Sequence, residues 1–477
     1  MKQEICLLAV FLLVFLADIF LPRKAQERIG IISCVLFGIY TLACFIPDFL
    51  SISATPFAGM YETSPTVAAI KNILNIGALI VMVQALQWNN SENQRFRCGE
   101  FYELTMLTLF GMYLMISSRH FLMFVIGLEC ASLPLAAMVA FDKHRYESHE
   151  AAVKYILTAV FSSAIFMMGL SFVYGLTGTL YYAGIAEALA AGTGMNTALL
   201  IVALAFVVSG IGYKLSLVPF HLWTADVYQG APTSVTSYLS VISKGSAAFA
   251  FLVILWQAFG AVYSEAWEWM LYALIILTIT VGNLFAIRQH NLKRFLAFSS
   301  ISQAGYIMFG VIAFEAMGKA ALMYYILVYI FSNLAAFGVI QSIENKTGKV
   351  DMNDYNGLSK TNPRLALTMM LAMFSLAGIP PFAGFFSKFF IFTSAISQGS
   401  VAIYVLVLIA LINTIVSLYY YLLVVKAMYI NTEEPCTIAR FKSAWSERIA
   451  MWVCVAGIIG LGIVSFFYDS LLNLVGC

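Results

Sequence analysis

Charge is what this chain has least of. Only 10% of its 477 residues are Asp, Glu, Lys or Arg, against roughly 25% in a soluble domain. That shortage excludes a soluble enzyme, a nucleic-acid binder and a disordered scaffold. The eight cysteines include no CxxC pair, and most stand inside apolar runs. Iron–sulfur and zinc sites need clustered thiolates, so these cysteines read as small buried hydrophobes. GxGxxG and Walker A loops are also missing, so nucleotide binding is not expected. The net charge of +2 carries no information about partners.

Long apolar runs are what remains. Hydrophobic residues make up 61% of the chain and the mean hydropathy is +0.88. A membrane-spanning helix uses roughly 20 residues. Reading apolar runs against charged or Pro/Gly-rich breaks predicts an all-α polytopic membrane protein with fourteen spans. They lie near 4–21, 29–47, 70–88, 101–118, 120–141, 151–176, 197–230, 232–260, 267–287, 295–316, 319–343, 363–399, 401–430 and 448–468. The first span is followed by Leu-Pro-Arg-Lys without a small-residue cleavage site, which reads as a retained anchor.

The basic residues sort by loop. Odd-numbered loops hold 19 of the 26, among them Arg23, Lys24, Arg95, Arg145, Lys293, Lys346 and Arg440. Even-numbered loops hold Lys71, Arg119 and Lys319, and the N-terminal tip holds Lys2. The positive-inside rule then puts odd loops in the cytoplasm and both termini outside. Three lysines belong to no loop: Lys214, Lys244 and Lys388. Glu129 stands about ten residues from either end of its span, so four ionisable groups are expected at membrane depth.

Two spans, 197–230 and 363–399, are too long for one straight crossing and too short for two. Each carries a central proline break: Pro219 in one, Pro380 and Pro381 in the other. Proline removes a backbone donor and clashes with the preceding turn. Broken helices at matching places in two halves point to an inverted-repeat transporter. The broken spans are the seventh and the twelfth, and an odd offset in a serpentine chain reverses orientation.

A charge at the bilayer centre is costly and functional by default, yet each has a structural alternative. Glu129 could be an acid bonded to a neighbouring helix. Lys214 could neutralise the carbonyl end of the first half-helix, with Glu129 as an obvious counter-ion. Lys244, about twelve residues into its span, is too deep to snorkel easily, and Lys388 follows the second break. A buried lysine can lose its proton near neutrality, so lysines in sequence along the midplane, beginning beside an acid, make a switchable proton relay. His221 suits a relay or helix packing equally. Asp226 reads as a tie for the short half-helix. Ser302, Gln303 and Tyr306 could wet a channel or bond neighbouring helices.

Longer motifs surround these residues: Gly127-Leu128-Glu129 through Leu133-Pro134-Leu135, KLSLVPFHLWTADVYQGAPTSVTSYLSVISK from Lys214 to Lys244, Asn291-Leu292-Lys293-Arg294, and GIPPFAGFFSKFF from Gly378. On these the chain resembles the antiporter-like membrane subunits of respiratory complex I over roughly residues 100–430. The resemblance implies fourteen helices with two inverted five-helix units at about 101–260 and 261–430. Three helices precede them in 1–100, and a loop and last helix follow in 431–477. It implies a proton path through Glu129, Lys214, Lys244 and Lys388. It also implies no cofactor in this chain, with flavin (FMN), iron–sulfur clusters and quinone held by partner subunits in a bacterial inner membrane. Other members fill the position near Gln303 with histidine. A subunit of a multi-subunit cation/proton antiporter is the alternative, and a membrane scaffold with vestigial charges a third reading.

Overall fold

The computed structural model describes residues 1–22, 28–50, 53–91, 94, 97–191, 196–260, 265–313, 316–431, 436–464 and 466–476. Arg23, Lys24, Arg95 and Cys477 lie outside the described residues. Each expected span is present as helix. The first three are α1 (Lys2–Phe20), α2 (Ile29–Ala43) and α3 (Pro65–Asn89). Then come α4 (Cys98–Ser117), α5 (Phe121–Val139), α6 (Tyr146–Thr177), the broken pair α7 (Thr197–Leu215) and α8 (Leu222–Gly230), and α9 (Thr233–Ala258). The same order repeats as α10 (Glu265–Ile287), α11 (Leu292–Ile312), α12 (Ala316–Thr347), the broken pair α13 (Pro363–Ala377) and α14 (Ala383–Ile396), and α15 (Val401–Tyr429). Last is α16 (Trp445–Ile463). The chain is an all-α polytopic membrane protein.

Local chemistry sets the ends. Ser64 accepts from the Val67 amide ahead of Pro65, a cap followed by a residue that lacks the donor a first turn does not need. Asn196 and Asn291 cap α7 and α11 in the same way. Gly178 and Gly378 end α6 and α13 in the left-handed region, at φ +70 and +87, where a side chain is strained.

Burial divides the helices. In α11 every residue of the most apolar stretch is buried, and α9 and α12 are nearly as enclosed, whereas α1, α6 and α15 bury a third or less. Exposed Leu, Ile, Val and Phe cover these outer helices, the pattern lipid requires. The centre is therefore α9, α11 and α12, with α3 against them. α4 and α5 approach closely enough that a Cβ on Gly111 would stand 2.4 Å from the Ala131 amide nitrogen. In the second set, a Cβ on Gly282 in α10 would stand 2.7 Å from the Ser302 amide nitrogen in α11.

Loop contacts test the sidedness read from the basic residues. Odd loops touch odd loops: Gln94 donates to Asp142, Arg145 pairs with Glu344, Asn291 bridges to Asp351, and Lys349 donates to the Thr437 carbonyl. Even loops touch even loops: Tyr61 bridges to Ser118 and His120 to Tyr181. Thr66 donates to the Leu474 carbonyl, and Lys2 lies over the Phe49 ring, so both termini share the even-loop face.

Two expectations need correction. Lys71 is not a loop residue: Ser64 and Pro65 start α3 earlier than its apolar run suggests. The lysine lies inside the helix, fully buried, 2.5 Å from Glu4 and 3.1 Å from the Tyr61 hydroxyl. The last span ends at Ile463 rather than near 468. Val464 is extended, and Phe466–Gly476 forms a separate helix in which Tyr468 stacks on Phe390 at 3.8 Å.

The glycine contacts make a paired prediction. Gly111→Ala should lower stability by about 1–3 kcal/mol through overpacking. Gly175→Ala, with nothing within 4 Å of the added carbon, should be neutral or stabilising by up to about 1 kcal/mol. Thermal unfolding in detergent checks both.

Candidate functional site

At the first break the backbone leaves α7 through Ser216, a non-glycine residue at φ +62, and passes Pro219 before α8 begins. The short helix is tied at both ends. Trp223 Nε1 donates to the Tyr213 carbonyl at 3.2 Å. Asp226 is held between Lys154 at 2.8 Å and Arg294 at 2.7 Å, as its sequence position suggested. Lys214, in the last turn of α7, is buried. Its ammonium does not bond the freed carbonyls. It donates to the Ser132 hydroxyl at 2.9 Å and the Tyr155 hydroxyl at 3.4 Å.

Glu129 lies on α5, three residues before Ser132. It is near enough for its charge to act on Lys214, and the two make no ion pair within 4.0 Å. Glu129 is half-buried, between the exposed side chains of Ile126 and Leu133.

The second break is built differently. Lys388 on α14 donates to the carbonyls of Leu376 and Ala377, both at 3.0 Å. These are the last carbonyls of α13, unpaired because the helix stops, and the ammonium meets their negative partial charge. Gly384 lets the two half-helices touch: a Cβ there would fall 1.7 Å from the Ser375 carbonyl oxygen. Its amide donates to the Ser375 hydroxyl at 3.2 Å. The ring of Tyr306 lies 5.1 Å from the Lys388 nitrogen, and Thr414 donates to the Tyr306 hydroxyl.

Lys244 sits between the two breaks, on α9, directly after a π turn at Leu239–Ser243. Such turns recur at functional sites. The lysine is 1% exposed and reaches from the first helix set into the second. It donates to the Ser300 hydroxyl at 2.7 Å and the Ser300 carbonyl at 3.2 Å. Ser240 lies 3.3 Å from both the Ser300 and Tyr329 hydroxyls and accepts from Asn333 at 2.5 Å.

Tyr329 then borders a cavity of about 10 Å³ shared with Gln303, Ser332, Ser375 and Lys388, room for on the order of one water. Gln303 is fully engaged: it donates to the Tyr421 hydroxyl at 3.1 Å and the Leu376 carbonyl at 3.3 Å, and accepts from Tyr325. Hydrogen-bonded groups therefore run from Lys244 to Tyr329, and the small cavity separates Tyr329 from Lys388.

The other half is not continuous. Tyr155, Trp223 and Tyr228 meet edge to face between Lys214 and Lys244, which lies 5.6 Å from the Tyr228 ring centre. Among the described residues no hydrogen bond crosses these rings. His221 is half-buried beside them, within electrostatic range of Lys244 and with its Nδ1 buried and unpartnered. Ser302 is buried with its hydroxyl unpartnered. The four ionisable groups are thus brought into one row, with Glu129 and Lys214 at one end and Lys388 at the other.

The groups not singled out from sequence are hydroxyls and amides: Ser132, Ser240, Ser300, Tyr329 and Asn333. Ser240 and Ser300 had a signal in the Ser/Thr run of 233–243 and the Ser299-Ser300 pair inside apolar spans; Ser132, Tyr329 and Asn333 lie in neither.

Comparison with known proteins gives concordant results. Residues 118–415 match the family described as NADH:quinone oxidoreductase/Mrp antiporter, TM. The chain is 54% identical over 472 residues to the NADH-quinone oxidoreductase subunit N of Phocaeicola vulgatus, covering 99% of this chain and 97% of that one. It is 30% identical to a chain of respiratory complex I from Thermus thermophilus, solved with bound aureothin, with a TM-score of 0.80 and 97% of each chain covered. A chain of the Mrp complex from a Dietzia species shares the fold, with a TM-score of 0.83 at 21% identity, covering 100% of this chain and 96% of that one.

Replacing Gln303 by leucine should strand the Tyr325 hydroxyl, whereas Tyr421 keeps its bond to Ser299. The expected loss is roughly 1–3 kcal/mol for the buried group left unpaired, read as lowered thermal stability in detergent.

Proposed function

The chain belongs to the NADH:quinone oxidoreductase/Mrp antiporter transmembrane family, and on that premise we propose that it is the N-type proton-translocating subunit of an NADH-quinone oxidoreductase. The observation that carries the reading is the line of hydroxyls that runs from buried Lys244 to the cavity beside buried Lys388. Lys244 and Lys388 are each held by neutral oxygens alone. A carboxylate beside them would fix the proton; hydroxyl and carbonyl partners hold an ammonium while leaving it free to give that proton up.

In this mechanism Lys214 and Glu129 form the switch. Ser132 and Tyr155 hold the ammonium at a distance from the carboxylate, and approach of the two charges would stabilise the protonated lysine. Lys244 is the central carrier. Its N–H bond breaks toward Ser300, the Ser300–Ser240–Tyr329 hydroxyls each pass a proton on, and water in the small cavity carries it to neutral Lys388, where an N–H bond forms. The Tyr155, Trp223 and Tyr228 rings stand where transfer between Lys214 and Lys244 needs water, with His221 beside them.

The two five-helix units, 101–260 and 261–430, divide the work, with 1–100 and 431–477 packed around them. Redox chemistry is assigned to partner subunits carrying FMN, iron–sulfur clusters and the quinone site, so this chain acts as a non-redox subunit. Glu129 reaches a surface between exposed Ile126 and Leu133, and a neighbouring membrane subunit covering it would spare a half-exposed carboxylate from lipid. The odd-loop face, rich in Lys and Arg, is placed in the cytoplasm of a bacterial cell, with both termini periplasmic.

The test is Lys244→Met in the intact complex reconstituted in vesicles. Quinone-reduction-driven proton uptake should fall by on the order of tenfold or more, the scale of lost proton-transfer catalysis, while the complex assembles. Undiminished uptake by an assembled complex would overturn the relay. Co-purification separates the antiporter alternative: redox subunits accompany the chain in one case, only membrane subunits in the other.

A further inference from the structure

The proposed relay has carriers but no route by which protons reach Lys244 from the basic-rich face. A second cavity lies on that face, with a volume of about 250 Å³ and walls that include Arg145, Thr233, Ser234, Gln341, Glu344 and Lys346. That is space for several waters. Its floor carries polar atoms with nothing to bond. Ser234 is 1% exposed and its hydroxyl has no partner. Gln341 is 2% exposed, and its Oε1 is free while its amide donates to the Gln84 carbonyl at 3.1 Å. Buried polar groups left unpaired are costly, and water in the cavity removes the cost.

Glu344 stands at the wall of this space. One carboxylate oxygen accepts from Arg145 at 2.9 Å and lies 3.7 Å from the Lys293 ammonium; the other accepts from the Thr233 hydroxyl. Lys293 also donates to the Ala231 carbonyl at 2.7 Å. The carboxylate therefore sits where α8 turns into α9, the helix that carries Lys244.

Below the floor, α9 and α12 run antiparallel. From the cavity inward α9 presents Ser234, Ser237, Ser240 and Lys244. Ser237 donates to the Ser234 carbonyl at 2.8 Å, and Ser240 joins Lys244 through Ser300. At four-residue intervals α12 presents Gln341, Phe337 and Asn333, which puts them on one helix face, and Asn333 reaches Ser240. Phe337, fully buried, is the apolar step between the wet floor and the hydroxyl network.

We propose that this cavity is the proton inlet of the Lys244 relay and that Glu344 orders the water that loads it. Glu344, kept ionised by Arg145 and Lys293, orders the cavity water through which a proton enters from the aqueous phase. The proton passes by way of water and the Ser234 and Ser237 hydroxyls to neutral Lys244. One O–H bond of a hydronium ion in the cavity is lost, one N–H bond forms at Lys244, and the aqueous phase resupplies the cavity. Arg145 and Lys293 hold the carboxylate in place throughout. This inference rests on the relay described above.

Three variants of the intact complex test it in vesicles. Glu344→Gln should cut redox-driven proton uptake by on the order of tenfold, and Glu344→Asp should restore at least half of it. Ser234→Cys should react with a charged, membrane-impermeant thiol reagent from the basic-rich side only, relative to the unsubstituted chain, and the modified complex should lose uptake. If Glu344→Gln is silent while Lys244→Met blocks uptake, the inlet lies elsewhere and the relay stands. If both are silent, the relay itself fails. Should Glu344→Gln not assemble, the cysteine decides: absence of reaction, or reaction from the opposite side, overturns the inlet.

Discussion

Everything in this structure follows from the cost of holding an ammonium group away from water inside a membrane. A charge at that depth is tolerable only if neighbouring oxygens replace its hydration, and the fold supplies those oxygens in three ways. Lys388 takes carbonyls that a broken helix leaves over. Lys244 takes a serine from the opposite helix set. Lys214 takes a serine and a tyrosine beside an acid it does not touch. The broken helices are thus tied to the charges: the interruption that looks like a defect in α13 furnishes the ligands that make Lys388 possible.

The same requirement explains why the most enclosed helices are the most polar in detail. α9, α11 and α12 lie at the centre, away from lipid, and carry Ser240, Ser300, Gln303, Tyr329 and Asn333 toward one another. Lipid-facing helices such as α6 and α15 have the opposite character. An ordinary soluble protein hides its apolar residues; here the hydroxyls are hidden, and they form a line because each needs a partner that is itself hidden.

Much of this was legible in the sequence because depth is a one-dimensional property. Apolar run length located the fourteen spans, prolines located both breaks, and lysines that belonged to no loop located the row. What one dimension does not contain is lateral neighbourhood. Lys71 was assigned to a loop because its partner, Glu4, is far away in sequence and adjacent in space. Lys293 was assigned to a loop, yet it is buried in the first turn of α11, 3.7 Å from Glu344. Glu129 and Lys214 were natural partners by charge, yet the Lys214 ammonium is bonded to Ser132 and Tyr155.

The π turn ahead of Lys244 bears on how this stretch can change over evolutionary time. Such a turn is wound more loosely than the helix on either side, and it reads as the footprint of an inserted residue. Losing one residue between 239 and 243 would let α9 close into regular geometry. It would also rotate everything beyond by about 100°, carrying Lys244 off Ser300 and away from the second helix set. The length of this segment therefore positions Lys244 as much as its place in the sequence does.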